Sequence, residues 1–531
     1  MSLFTITKEE SNTFLEFNSN NNPDFTDAMS MLSDITSMDE FCYNCAKINI
    51  DDLYDHSESI INKIINDEKY FNIIDLVPIL NELFEERNLA KQNMLARSKV
   101  SFDNLKEIYK INDRIVLKTD GKLMGGTILN TESYFDSYSM TKKFQITYQM
   151  IFSNGKEFYA GSRKAIIDFY TGIRHINSFD IKKPTATDTN FLTSRGQKIK
   201  ALGNGCNYKS YDGTMFIKSM YGPIHFNASG RIMIDAVGFK QFNPNYGIKD
   251  SNGIMDNMTD DLVFMCYPFL HGFSFTTKQW GEIDVDYVSD IVFDDTAFDT
   301  LVLDPKLKSL SKALVTNVEY GFKDVISGKS GGCIFLLHGP PGVGKTLTSE
   351  AISEHLHKPL YSVTVGECGI TPVELETKLS RILEIADKWN AIILIDEADI
   401  YMEQRQTSDI VRNAMVGIFL RLLERYQGIM FLTTNRVTEL DEAFRSRISV
   451  IIGYEPFNVE TRIKVWQNLL KAANMDLDIE TITEMSTENN INGRQIKNAI
   501  RLVQCLRHDR EKNGLEQISI RDDFSEVFEL I

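Results

Sequence analysis

The uninterrupted apolar run Cys333 to Leu337, followed at once by GPPGVGKT and further on by a second run ending in Asp396 and Glu397, constrains this chain most. Short apolar runs without alternation read as strands buried on both faces, so a parallel sheet between helices is expected. Gly339 to Thr346 fits G-x-x-x-x-G-K-[ST] between a strand and a helix. The stretch Gly339, Pro340, Pro341, Gly342, Val343, Gly344, Lys345, Thr346 and Leu347 is therefore read as a phosphate cradle. Its glycines let backbone N–H groups turn inward, and the helix N-terminus adds partial positive charge. Lys345 is expected on the β/γ oxygens, and the Thr346 hydroxyl on Mg²⁺. In AIILIDEAD the strand delivers Asp396 and Glu397 at its C-terminal edge, where ligands bind in such sheets. Asp396 is expected to hold the Mg²⁺ shell, and Glu397 to orient and polarise an attacking water.

A third run, GIMFLTTN, ends in Thr434 and Asn435. An amide placed there can donate to a γ-phosphate and accept from the lytic water. DEAFRSRISVII then sets Arg445 and Arg447 before another apolar strand. They lie too far round the sheet edge for easy reach to their own phosphate, so they are assigned to a neighbouring subunit's nucleotide. Oligomerisation thereby becomes part of the expected mechanism. In INGRQIKNAIRLV, Arg494 stands at a helix start, where it can contact the γ-phosphate and report its loss.

Around this core the 531 residues divide by pattern. Residues 1–104 begin acid-rich, with twelve Asp/Glu against two Lys/Arg in the first sixty, and then turn helical through Ile60, Ile61, Ile64, Ile65, Leu76, Leu80 and Leu83. The first twenty or so are expected to be disordered. Residues 105–284 read as a β-rich domain, with Asp-Gly and Asn-Gly turns between short runs. KKPTATDTN (182–190) is read as a loop or a break between subdomains, and Arg195, Lys198 and Lys200 beside Tyr208 and Tyr211 as a solvated strand face, with a nucleic-acid patch the alternative. Residues 285–455 form the expected α/β core, and 456–531 a helical appendix.

The net charge of −17 and pI near 5.1 weigh against a general nucleic-acid or anionic-membrane binder. Seven scattered cysteines suit a reducing compartment. Cys42 and Cys45 form a C-x-x-C without a second pair at ligand spacing, and are read as apolar cysteines rather than zinc ligands. No apolar run reaches spanning length, and the N-terminus lacks a secretory pattern. A soluble, intracellular protein is expected, with the cytoplasm favoured.

Strand, glycine loop, acidic strand, asparagine strand, paired arginines and helical appendix, in this order, resemble the AAA family of ATPases over roughly 295–531. The resemblance implies a P-loop α/β module, a parallel sheet flanked by helices, with a C-terminal helical lid. It extends to fungal-type AAA proteins carrying a domain of unknown function ahead of the module, and the module is also similar to that of the mitochondrial Rieske-protein translocase. In such relatives Arg447 matches the arginine finger more securely than Arg445. Peptide-threading rings usually place an aromatic-aliphatic-Gly triplet after the second strand, whereas VGECGITPVE has no aromatic residue. Remodelling through the N-terminal domains or a wider opening is then favoured over threading. The resemblance implies ATP, Mg²⁺ and a homo-oligomeric ring, a hexamer favoured and a heptamer the alternative, that remodels or disassembles a protein client. A nucleic-acid-directed loader or helicase, and an ATP-gated scaffold with little turnover, are the alternatives.

Overall fold

The computed structural model describes residues 4–9, 12–18, 26, 28–30, 45–119, 121–247, 258–316, 332–404, 409–436, 442–514, 516 and 518–529. The chain divides into two compact units, Met1–Met150 with Gly161–Thr189 and Ile151–Ala160 with Asn190–Ile531.

In the first unit, strands Phe4–Glu9, Asn12–Asn18 and Cys45–Asn49 form an antiparallel sheet, so the stretch expected to be disordered contributes two paired strands. Cys45 opens the third strand, and Cys42 lies outside the described residues. Helices Ile50–Asn66 and Leu76–Ala96 follow. Ile60, Ile64, Leu76, Leu80 and Phe84 share one core, as helical spacing predicts, while Ile65 faces out. A five-stranded sheet, all but residues 151–153 and 158–160 of it in this unit, then runs in the order Ile181–Lys182, Arg114–Thr119, Lys122–Asp136, Thr141–Ser153, Phe158–Asp168. The expected Asn-Gly turn is present: Asn154 Oδ1 accepts from the N–H groups of Lys156 and Glu157.

The second unit starts with a correction. The polar segment read as a loop or a break between subdomains holds a loop at 183–185 and the boundary between the units at Thr189 and Asn190, but its second half already belongs to helix Ala186–Leu202, and the basic cluster read as a strand face lies on that helix, with Arg195 buried. Beyond it, strands Asn207–Ser219, Gly222–Ile234, Phe269–Ser274 and Gln279–Asp284 pair antiparallel in sequence. The first also pairs with the fourth through Phe216 and Glu282, which closes the sheet into a small barrel. Closure removes the free edges that an open sheet leaves unpaired.

The remainder is a parallel five-stranded sheet in the order Leu360–Thr364, Ile392–Asp396, Ile429–Thr434, Cys333–His338, Val450–Gly453. Its strands are apolar on both sides because both faces are covered. Ile334, Leu336, Ile393, Ile395, Met430 and Leu432 point to a core under helices Pro372–Lys388 and Ile410–Arg425. Phe335, Leu337, Ile392, Leu394, Ile429 and Phe431 point the other way, against Ile352 and Val315. Helices Val459–Ala472, Ile479–Glu488, Gly493–Lys512 and Ile520–Phe528 make a separate bundle around Trp466.

The barrel is fastened to this sheet domain. Met233 and Phe273 enter the core beneath Pro372–Lys388. Buried Asp235 accepts from Lys388 Nζ at 2.7 and 2.8 Å, Trp389 Nε1 at 2.9 Å and Gly238 N–H at 2.9 Å. A buried donor stripped of its acceptor costs about 1–3 kcal/mol, so this carboxylate fixes the barrel to the C-terminal end of the helix.

Candidate functional site

The site forms where the parallel strands end. Leaving Cys333–His338, the chain turns through three glycines with positive φ, Gly339 at 147°, Gly342 at 79° and Gly344 at 102°, before helix Lys345–Leu356. Two of these positions are also sterically closed. A Cβ on Gly339 would lie 2.3 Å from the Tyr454 carbonyl, and one on Gly342 2.5 Å from Asn492 Oδ1. Only glycine satisfies both the backbone angle and the contact.

Lys345 is buried and folds back into the loop. Its ammonium donates to the carbonyls of Gly339 at 2.6 Å and Pro340 at 2.9 Å, and to Asn435 Oδ1 at 2.8 Å. The last bond joins two residues ninety positions apart and brings the third strand's amide to the loop. Burial lowers the Lys345 pKa and Arg494 lowers it further, while Asp396, Asp399 and Glu397 act against them. The cation thus sits within electrostatic reach of Asp396, Glu397 and Arg494 and within hydrogen-bond reach of Asn435. An anion seated in the loop would supply the charge that burial withholds from it.

The acidic strand end is organised by a residue that sequence reasoning passed over. Thr433 Oγ1 donates to Asp396 Oδ1 and accepts from the Glu397 N–H at 3.0 Å, and its carbonyl accepts from Ala398 N–H at 2.9 Å. Glu397 has φ 56°. A left-handed non-glycine backbone costs about 1–3 kcal/mol and persists only where its surroundings enforce it. Thr433 is the enforcement. Asp396 is half-buried and Glu397 exposed, so strand and turn aim one carboxylate inward and one at solvent. Nothing in the GIMFLTTN run singles out Thr433 over Thr434, whose own hydroxyl is occupied with Arg436 N–H at 2.9 Å. We expect Thr433→Val to lose about 1–3 kcal/mol of stability, because it leaves the Glu397 N–H without its acceptor, and Thr433→Ser to retain it. Denaturant titration of the three proteins reads the difference.

The helical bundle touches the loop directly. Gly493 N–H donates to the Gly342 carbonyl at 3.0 Å, and Asn492 caps helix Gly493–Lys512 through Gln495 N–H at 3.0 Å. Arg494 follows, exposed. Thr346 is half-buried at the helix start, with Leu347 exposed beside it, Val343 in the core and Pro341 exposed.

Arg445 and Arg447 stand apart. Arg445 is exposed at the end of helix Glu442–Arg445. Arg447 donates from Nη1 to the Ala443 carbonyl at 2.7 Å and from Nη2 to Glu424. Among the described residues no helix is long and apolar enough to cross a membrane, and no group of acidic, histidine or cysteine residues is placed to hold a metal by itself.

A parallel sheet in this strand order, with a glycine loop holding a buried lysine opposite paired carboxylates and a helical bundle on the loop, defines a P-loop α/β domain of AAA type. Residues 335–456 match the ATPase family associated with various cellular activities (AAA), and residues 90–182 match a domain of unknown function, DUF7025. The chain therefore carries an AAA domain with a DUF7025 domain ahead of it.

Among curated proteins, ATPase family AAA domain-containing protein 3 of Xenopus tropicalis is 25% identical over 31% of this chain and 28% of its own length. Spastin of the same species is 27% identical over 28% of this chain and 26% of its own length. ATPase family AAA domain-containing protein FIGL1 of Arabidopsis thaliana is 28% identical over 34% of this chain and 28% of its own length. This chain thus spans under a third of each of these relatives. The crystal structure of the FIGL-1 AAA domain in complex with ADP aligns at a TM-score of 0.34 and 19% identity, over 44% of this chain and 83% of that one, too loosely for residues to be equated.

Proposed function

We propose that this protein is a Mg²⁺-dependent ATPase that works as a ring, with a hexamer favoured, and uses hydrolysis to remodel or disassemble a protein client. The observation that carries the reading is the Lys345 ammonium, buried in a glycine loop beside Asn435, Asp396 and Glu397. In this reading Gly339–Leu347 cradles the triphosphate. Lys345 transfers its hydrogen bonds from the Gly339 and Pro340 carbonyls to the β/γ oxygens. Thr346 and Asp396 would hold Mg²⁺, which would neutralise phosphate charge there. Glu397 takes up and orients the water, and Asn435 fixes its position. Arg494 reads the γ-phosphate from the helical bundle, and the Gly493 to Gly342 hydrogen bond passes that state to the lid. Arg447, with Arg445 beside it, serves the neighbouring subunit.

The acidic chain favours a protein client over nucleic acid. The likeness to AAA proteins with a domain of unknown function ahead of the module has support in the pairing of the 90–182 match with the AAA domain. The test is phosphate release by the purified chain with ATP and Mg²⁺, run beside sizing in the same nucleotide. Saturable release that needs Mg²⁺ and appears only in assembled material is expected. Full release from a strict monomer sinks the ring.

A further inference from the structure

The carboxylate turn leads straight into one turn of helix, Asp399–Met402, in which Tyr401 is fully buried. Its hydroxyl lies 2.9 Å from the Val365 carbonyl and 2.9 Å from the Gly369 carbonyl, the two ends of the short helix Val365–Cys368. The phenol is thus a peg four residues from Glu397, set across a different segment of the chain. That segment emerges from strand Leu360–Thr364 at the site edge of the sheet and continues into an exposed apolar tip, where Ile370 and Val373 are 72% and 77% exposed. The tip then enters helix Pro372–Lys388.

The same segment is held from its other side. Lys278, in the barrel turn between Phe269–Ser274 and Gln279–Asp284, donates to Glu367 Oε2 at 2.8 Å, and that oxygen also caps the short helix by accepting from Thr364 N–H at 2.7 Å. At the far end of helix Pro372–Lys388, Lys388 and Trp389 bind Asp235 of the barrel. The barrel therefore grips both ends of one loop and helix, and Tyr401 grips the loop from the carboxylate turn. The Tyr401 ring packs at 5.2 Å on Phe419, which packs at 5.8 Å on Phe444, three residues ahead of Arg447. Hydroxyl and ring therefore have separable tasks: one faces the loop, the other the core that leads to the arginine.

We infer that Tyr401 is a positioning residue through which nucleotide at the Asp396–Glu397 turn sets the conformation of the loop at 365–370, and that Lys278 carries this conformation to the barrel turn. The inference rests on the nucleotide reading above and adds an output to it: the barrel follows the state of the site. Rigid elements joined by buried hydrogen bonds pass a displacement on because packed cores rearrange between discrete arrangements rather than deform continuously.

The test is amide hydrogen exchange on the full chain, with and without Mg²⁺ and a non-hydrolysable ATP analogue. In the unaltered protein the analogue is expected to slow exchange at 396–402, at 365–370, where Gly369 N–H bonds the Val365 carbonyl, and at 274–279. Tyr401→Phe keeps the ring and removes only the hydroxyl. It should keep the response at 396–402 and lose those at 365–370 and 274–279. Lys278→Met, at a half-exposed residue, should keep the response at 365–370 and lose only that at 274–279. A Tyr401→Phe protein whose loop responds as strongly as the unaltered one overturns the inference, as does an unaltered loop that stays silent while 396–402 responds. Silence at 396–402 in every form overturns the nucleotide reading, and this inference with it.

Discussion

Arg447→Ala is expected to slow ATP turnover about 10³- to 10⁵-fold at saturating ATP while leaving nucleotide binding intact, the range for a guanidinium supplied across a subunit boundary. In barrier terms that is roughly 4–7 kcal/mol. Among the described residues its side chain is anchored by the Ala443 carbonyl and Glu424, away from Lys345. Loss of those anchors does not account for an effect of that size. The pair with Glu424 is half-exposed, and such pairs contribute about 0–1 kcal/mol. Stability of the variant should therefore stay close to that of the unaltered protein, and the deficit should fall on the chemical step. Mixing Arg447→Ala with Lys345→Ala subunits separates action on the neighbour from action in place. An Arg447→Ala subunit retains a competent loop, and a Lys345→Ala subunit retains the guanidinium, so mixed rings should recover part of the activity that each variant lacks alone. Phosphate release that stays absent at every mixing ratio would place Arg447 on its own nucleotide or outside the reaction.

The parts of this site that were legible in the sequence are those that local chemistry dictates. Continuous apolar runs exposed the four strands that matter, and the glycines with Lys345 exposed the loop, since both signals are contained within a few consecutive residues. What stayed hidden depends on pairing at long range. Thr433 becomes informative only when its strand lies beside Ile392–Asp396 and places its hydroxyl between Asp396 and the Glu397 N–H. Tyr401 looks like core and is core, but its hydroxyl crosses to a segment more than thirty positions earlier. The barrel's closure rests on one register pair, Phe216 with Glu282, between residues that share no local pattern. The misread helix Ala186–Leu202 has a different cause. Its polar, threonine-rich start carries weak helix propensity, and tertiary packing of Leu192, Arg195 and Ile199 overrides it. Burial of an arginine was the least expected element there, because a charged group enters a core only where the fold supplies partners for it.

Glu397→Gln is expected to stop hydrolysis by about 10²- to 10⁴-fold, the usual contribution of a positioned general base, with ATP still bound. The amide matches the carboxylate in size and keeps the N–H that bonds Thr433 at 3.0 Å, so the turn and its left-handed φ of 56° should survive. What disappears is a negative charge beside a polyanion and the capacity to polarise water. The first change favours retention of ATP, and the second removes turnover, so the two effects push in opposite directions and can be measured apart. Binding isotherms should be as tight as those of the unaltered protein or tighter, while phosphate release falls by about 10²- to 10⁴-fold. The bond between Lys345 and Asn435, 2.8 Å in the unaltered chain, does not involve Glu397, so the ground state should be left nearly whole. If the chain works as the proposed ring on a protein client, the same variant held in ATP should stay assembled and retain that client. Undiminished phosphate release by Glu397→Gln would remove the water-orienting role from this residue. It would leave Asp396 as the one carboxylate at the strand end still available to the reaction.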